Sequence, residues 1–209
     1  MRFIPTLSLT LAVLATAALH AQVGRHENLA DPNLADRATL RSLPRVDDTL
    51  ADAIVASRPF LSAKQLNDVL SKSVGEAEIR EIYGRLFRQI NLNSASRDEI
   101  MLIPGMTSRM AHEFEEYRPY TSLEQFRREI GKYVDANEVA RLEQYVFVPL
   151  DLNTATAADL MTIPGMTSRM VHEFEEYRPY TSMDQFRREI GKYVDRNEVA
   201  RLESYVTLE

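Results

Sequence analysis

The stretch Ile103–Val146 returns at Ile163–Val206 with 39 positions unchanged, since only five differ. The offset that carries Ile103 onto Ile163 is constant throughout and needs no gap. A fixed period of this length constrains the fold more than any bulk property. It implies tandem copies of one small supersecondary unit, each burying apolar surface against its neighbour. The five changes are Ala111/Val171, Leu123/Met183, Glu124/Asp184, Ala136/Arg196 and Gln144/Ser204. An earlier stretch has diverged but keeps the register. Asn33 matches Asn93, Leu40 matches Ile100, and Leu43-Pro44 matches Ile103-Pro104. Arg58-Pro59-Phe60 matches Arg118-Pro119-Tyr120, Leu66 matches Phe126, and Phe87 matches Phe147. The reading is three tandem units at 28–90, 91–150 and 151–209, preceded by a distinct N-terminal segment.

Within one unit the signals are helical. Ser96 with Glu99 forms a capping box that opens a helix over 97–102, and Thr156 with Asp159 does the same in the third unit. Ile103-Pro104-Gly105 stops that helix. Met106, Met110, Phe114 and Tyr117 then fall on one face of a second helix, 108–117. Thr121 with Glu124 is expected to cap a third helix, which Gly131 ends. Asp135 and Glu138 cap a fourth, with Val139, Leu142, Tyr145 and Val146 facing inward. The expectation is all-α, with four short helices per unit arranged as two hairpins. No such helix is stable alone, so packing must hold it.

The segment Met1–Ala21 carries Arg2, a mostly apolar run from Phe3 to Leu19, and Ala21 at a plausible cleavage position. This is the pattern of a secretory signal peptide. It implies a periplasmic or otherwise extracellular mature chain; an uncleaved anchor is the alternative. There are no cysteines, which removes disulfides, thiolate chemistry and Cys-based zinc sites. Net charge is −6 and is acidic where the repeat is strongest: the segment 91–149 holds 7 basic and 10 acidic side chains, and 150–209 holds 7 and 11. Strong electrostatic binding to nucleic acid would want the opposite sign, although a local basic face is compatible with this balance.

The segment Leu-Asn-Thr-Ala-Thr-x-x-Asp-Leu-x-x-Ile-Pro-Gly-Met at 152–166 resembles the tandem helix-hairpin-helix family of exported ComEA-like DNA receptor repeats, to which the extrinsic U subunit of photosystem II is also similar. The resemblance covers 91–208 well and 28–90 more weakly. It implies that a Pro-Gly-apolar-Gly turn and the following helix N-terminus can hold a phosphate without reading base sequence. Pro104-Gly105-Met106 and Pro164-Gly165-Met166 match. The family's second Gly is replaced by Thr107 and Thr167, and a β-branched residue is expected to stay at negative φ, as an N-cap. Pro44-Arg45-Val46-Asp47 has no Gly, so the first unit is expected to lose the turn. The second hairpins, Tyr133-Val134-Asp135 and Tyr193-Val194-Asp195, also lack the Gly pair.

The candidate phosphate contacts are therefore Gly105, Met106, Thr107, Ser108 and Arg109, and their equivalents Gly165, Met166, Thr167, Ser168 and Arg169. The bland alternative is that the glycines serve turn geometry alone. Arg127, Arg128 and Lys132, repeated as Arg187, Arg188 and Lys192, form either a basic strip or a solvated face paired with nearby glutamates. His112-Glu113-x-x-Glu116 and its copy at 172–176 lack the second His and third ligand of a zinc helix, so no metal site is expected. The aromatic side chains sit at core spacing. No cofactor, small-molecule substrate or catalytic constellation is read, and a non-enzymatic binding protein is expected. Two partners remain open: double-stranded DNA held non-specifically, as in DNA uptake or retention, or an exported or membrane protein on which the chain docks.

Overall fold

The computed structural model describes residues 22–24 and 28–208. The signal-peptide reading of Met1–Ala21 lies outside the described residues. The chain is mostly helical. The helices are α1 (Arg37–Arg41), α2 (Asp48–Ala56), α3 (Ala63–Leu70), α4 (Glu76–Tyr83), α5 (Arg97–Met101), α6 (Ser108–Glu116), α7 (Leu123–Ile130), α8 (Ala136–Glu143), α9 (Ala157–Leu160), α10 (Ser168–Glu176), α11 (Met183–Ile190) and α12 (Arg196–Glu203). The all-α expectation needs one amendment. Among the described residues there are four short strands: β1 (Ile90–Asn91), β2 (Val146–Phe147), β3 (Leu150–Asp151) and β4 (Val206–Thr207). Among the described residues no helix is long and apolar enough to cross a membrane.

The caps explain where helices begin. Ser96 and Thr156 form the expected capping boxes with Glu99 and Asp159. Asp135 accepts from the Glu138 N–H at the start of α8. The cap of α7 differs from expectation: Ser122, not Thr121, accepts from the Gln125 N–H, and Thr121 is instead held by the Gln125 side chain. The serine hydroxyl, one position later, lies within reach of the first free N–H groups.

The helices are all short, the longest being α2, α6 and α10, so the cores carry the fold. One core runs from Leu29 to Val148 and joins α1–α8. A second runs from Leu150 to Val206 and also takes in Val23 and Phe147. Chain segments are tied by parallel pairs: β1 beside β2 and β3 beside β4, with a single bridge between Ala30 and Leu86.

One clamp recurs three times, at the spacing of the sequence repeat. The side chains of Asn33, Asn93 and Asn153 each bond the backbone of Phe60, Tyr120 and Tyr180, as acceptor and donor at once. Beside each, Arg58, Arg118 and Arg178 donate to two backbone carbonyls well upstream, those of Pro32 and Ala35, Leu92 and Ala95, and Leu152 and Ala155. The Arg–Pro peptide bond is cis at all three places. The Asn matches and the Arg-Pro-aromatic matches seen in the sequence are therefore two ends of one hydrogen-bonded device.

The N-terminal and C-terminal thirds meet through a buried arginine. Arg88 is 1% exposed. Its guanidinium donates to the Phe60 and Gln89 carbonyls, to the Tyr205 hydroxyl at 2.7 Å and to Ser204 Oγ at 2.6 Å. It lies 4.4 Å from the Tyr205 ring centroid and 5.5 Å from that of Phe147. The Tyr205 hydroxyl in turn donates to buried Asp31 at 3.4 Å. A buried charge is tolerated only when it is well hydrogen-bonded, and here all three guanidinium nitrogens donate. Replacing Arg88 with Met should destabilise the protein by about 1–3 kcal/mol, because the Tyr205 hydroxyl and Ser204 lose a buried partner. Urea unfolding followed by circular dichroism checks this; an unchanged midpoint would remove Arg88 from this role.

Candidate functional site

The turn between α5 and α6 is built around Gly105, whose φ of +75° only glycine adopts at low cost. The Met106 N–H closes onto the Ile103 carbonyl at 3.0 Å. Thr107 then takes extended backbone at φ −113° and caps α6, its hydroxyl accepting from the Met110 N–H. Thr167 does the same for α10 at φ −117°. Both threonines thus stay at negative φ, as their branched Cβ requires. Ser108 and Arg109 are exposed at the start of α6, and Ser168 and Arg169 at the start of α10.

Each turn is braced from behind. Arg141 donates to the Pro104 carbonyl at 2.8 Å and is gripped by both oxygens of Glu138. Arg201 donates to the Pro164 carbonyl at 2.7 Å and is gripped by Glu198. The hydrogen bond from Arg141 holds the Glu138 carboxyl below the ordinary glutamate range. The two turns differ in what lies over them. At Gly165 the Leu34 methyl carbons would stand 3.0 and 3.2 Å from an added Cβ, whereas at Gly105 the nearest atom is Arg141 Nη2 at 3.5 Å. The Arg201 side chain is 2% exposed and that of Arg141 is 34%. Met166 is buried while Met106 is only partly so. Both glycines are exposed, but the Gly165 turn carries Leu34 against it.

The first turn corrects the sequence reading. Pro44-Arg45-Val46-Asp47 keeps the bend, with Arg45 at φ +62° and Asp47 capping α2 through the Leu50 N–H. Arg45 bonds Glu81 at 2.9 Å, which helps hold its backbone in the left-handed region that glycine occupies elsewhere.

The cations sort into two groups. Arg127 pairs with Glu143 at 2.6 Å, and Arg187 with Glu203 and Asp184. Arg128 and Lys132 share Glu129; Arg188 and Lys192 share Glu189. Their contacts with the lysine first, and with the arginine after it, lower the Glu129 and Glu189 carboxyls. An incoming anion at this strip would have to displace a carboxylate. Arg109 and Arg169, by contrast, make no ion pair among the described residues. His112 and His172 lie against Glu116 and Glu176 on exposed faces. Among the described residues no group of three or more His, Cys, Asp or Glu is placed to hold a metal ion.

Sequence reading missed a polar cleft of about 930 Å³ between segments 91–122 and 148–159, lined by Asn93, Thr121, Asp151, Thr154 and Thr207 among others. Its walls come from segments distant in the chain, so no local pattern announces it.

Comparison with known proteins places this geometry in an unexpected setting. The chain is similar to proteins named endonuclease/exonuclease/phosphatase family domain-containing protein 1. The Xenopus laevis protein is 29% identical over 43% of this chain and 21% of its own length. The Mus musculus protein is 28% identical over 72% and 31%, and the Bos taurus protein 25% over 69% and 30%. The chain thus spans less than a third of the length of these relatives. No family model and no solved structure matches it.

These relatives overturn three expectations. The resemblance to helix-hairpin-helix, ComEA-like receptor repeats gives way to relatives of another name. The expected role in DNA uptake or retention falls with it. The reading of the chain as non-enzymatic is also corrected, since the relatives are named for a family of nucleases and phosphatases. The physical reason is plain: a Pro-Gly-Met turn between short helices is a local solution to chain reversal and carries no lineage by itself.

The brace behind Gly105 generates a pH prediction. A carboxyl lowered in the folded state contributes stability that is present above its unfolded pKa, about 4.3, and is lost as pH falls through the lower folded value. Wild type should therefore exceed Glu138→Gln in urea midpoint at about pH 6, and the difference should vanish by about pH 2. A difference that persists in that acid range would show that the carboxylate is not what braces the turn.

Proposed function

We propose that this chain holds the phosphodiester backbone of a nucleic-acid substrate for a reaction of the endonuclease/exonuclease/phosphatase kind, with the open Gly105 turn as its main contact and duplex DNA as the partner. The carrying observation is that Arg109, beside that turn, has no acid partner among the described residues, whereas the strip cations are paired. The free N–H groups at the start of α6 and the Arg109 guanidinium can converge on one phosphate. Such a contact positions a duplex and reads no bases. The nuclease and phosphatase names of the relatives support a phosphate ester as the ligand.

The same reading takes the chain as three units of similar length, 28–90, 91–150 and 151–209, each of four short helices in two hairpins. The recurring Asn clamp and the parallel end strands support that division. In this arrangement the second unit presents the working turn. The third keeps a copy partly covered by Leu34, and the first replaces the glycine with Arg45.

Fluorescence anisotropy of a labelled DNA duplex across a salt series tests the proposal. Arg109→Gln should weaken binding and reduce the slope of log affinity against log salt by about 0.9, the value for one lost phosphate contact. Arg169→Gln should do less. Absence of salt-sensitive binding at low ionic strength, or an Arg109→Gln variant that binds like wild type, defeats it.

A further inference from the structure

The outer edge of β2 is already occupied by a segment of the chain itself. Gln22–Gly24 runs antiparallel to it, with Val23 opposite Phe147. The Gly24 N–H donates to the Val146 carbonyl at 3.2 Å, and the Val148 N–H donates to the Gln22 carbonyl at 2.8 Å. The Gln22 carboxamide reaches the Thr121 carbonyl. Glycine is obligatory here, because a Cβ on Gly24 would stand 1.8 Å from the Glu143 carbonyl oxygen.

At the equivalent place in the last copy of the repeat, β4 offers the same edge, and among the described residues nothing is paired with it. Val206, Thr181 and Glu203 repeat Val146, Thr121 and Glu143 by identity, and Leu208 replaces Val148. Among the described residues no backbone bond from another segment reaches the Val206 carbonyl or the Leu208 N–H. The exposures agree. Val146 and Val148 are 0% and 3% exposed, while Val206 is 9% and Leu208 is half-buried. An unpaired strand edge is a template for another chain.

We propose that this free edge of β4 takes an extended segment of a partner protein with the pattern carboxamide, β-branched apolar residue, glycine, added antiparallel as Gln22–Gly24 is added to β2. A strand added in this way draws affinity from main-chain bonds and specificity from alternate side chains. The carboxamide meets the Thr181 carbonyl, the apolar residue lies opposite Thr207, and the glycine passes over the Glu203 carbonyl. A second copy of this chain is the weaker occupant. Its own Gln22–Gly24 would have to leave an equivalent site, so the exchange gains no bonds and still loses the freedom of a separate molecule.

The test is an NMR titration of the full ¹⁵N-labelled chain with the synthetic peptide Ala-Gln-Val-Gly-Arg. Saturable shifts concentrated at Val206–Leu208 are expected. The same peptide with Ala in place of Gly should bind at least about tenfold more weakly, a difference of ~1.4 kcal/mol. Leu208→Pro, which removes the donor, should abolish the shifts. Three results overturn the proposal: no saturable shift at β4, equal binding of the Ala peptide, or shifts centred on Val148, which would assign the peptide to β2 by displacement.

Discussion

The arrangement depends on burying one guanidinium. Arg88 closes the N-terminal third onto the C-terminal third, and its bonds to Ser204 and Tyr205 cross a stretch of sequence no helix here could span. A buried arginine costs several kcal/mol in desolvation before any partner is counted. What makes it tolerable is the density of acceptors. Two backbone carbonyls, a phenol and a serine meet the N–H fork, and two aromatic faces lie over the delocalised charge. Asp31 supplies the countercharge through the Tyr205 hydroxyl. The Tyr205 pKa is raised chiefly by burial, so the phenol stays neutral and can serve as a donor to Asp31.

This closure makes near-identical sequences unequal. The Gly105 and Gly165 turns share residues, dihedral angles and an arginine brace. They differ because the segment that carries Asp31 also carries Leu34, and docking the first onto Tyr205 lays the second against the Gly165 turn. Arg201, which feels the charge of Asp31, is 2% exposed. The candidate phosphate site is thus set by tertiary contact from a segment at the far end of the chain.

Much of the local structure was legible. Ser96 with Glu99 and Thr156 with Asp159 announced caps that form, and Thr107 and Thr167 lie where branched side chains must. The pairing of Arg128 and Lys132 with Glu129 was one of two open readings, because helical spacing puts opposite charges side by side without saying whether a ligand outcompetes them. Other features were not legible. Arg45 at positive φ defeats a rule based on glycine, since its bond to Glu81 depends on a helix distant in the sequence. The strands are too short for alternation to show. The family assignment went astray for a different reason: the matched residues serve backbone geometry, which unrelated chains can reach independently.

A chain with two nearly identical stretches risks pairing each with the other's neighbours as it folds. Five substitutions separate Ile103–Val146 from Ile163–Val206, and one of them sits at the closure. Ser204 gives Arg88 a hydroxyl at 2.6 Å; the corresponding Gln144 meets Gln89 instead, through its backbone carbonyl. Arg88 and its neighbour Gln89 therefore each reach a different copy. The Ser204 hydroxyl works as an address label, because Gln144 contributes only a main-chain carbonyl that any residue would supply. It ties Arg88 to the C-terminal stretch, where the near-identical stretch before it has no side-chain hydroxyl to offer at the matching position.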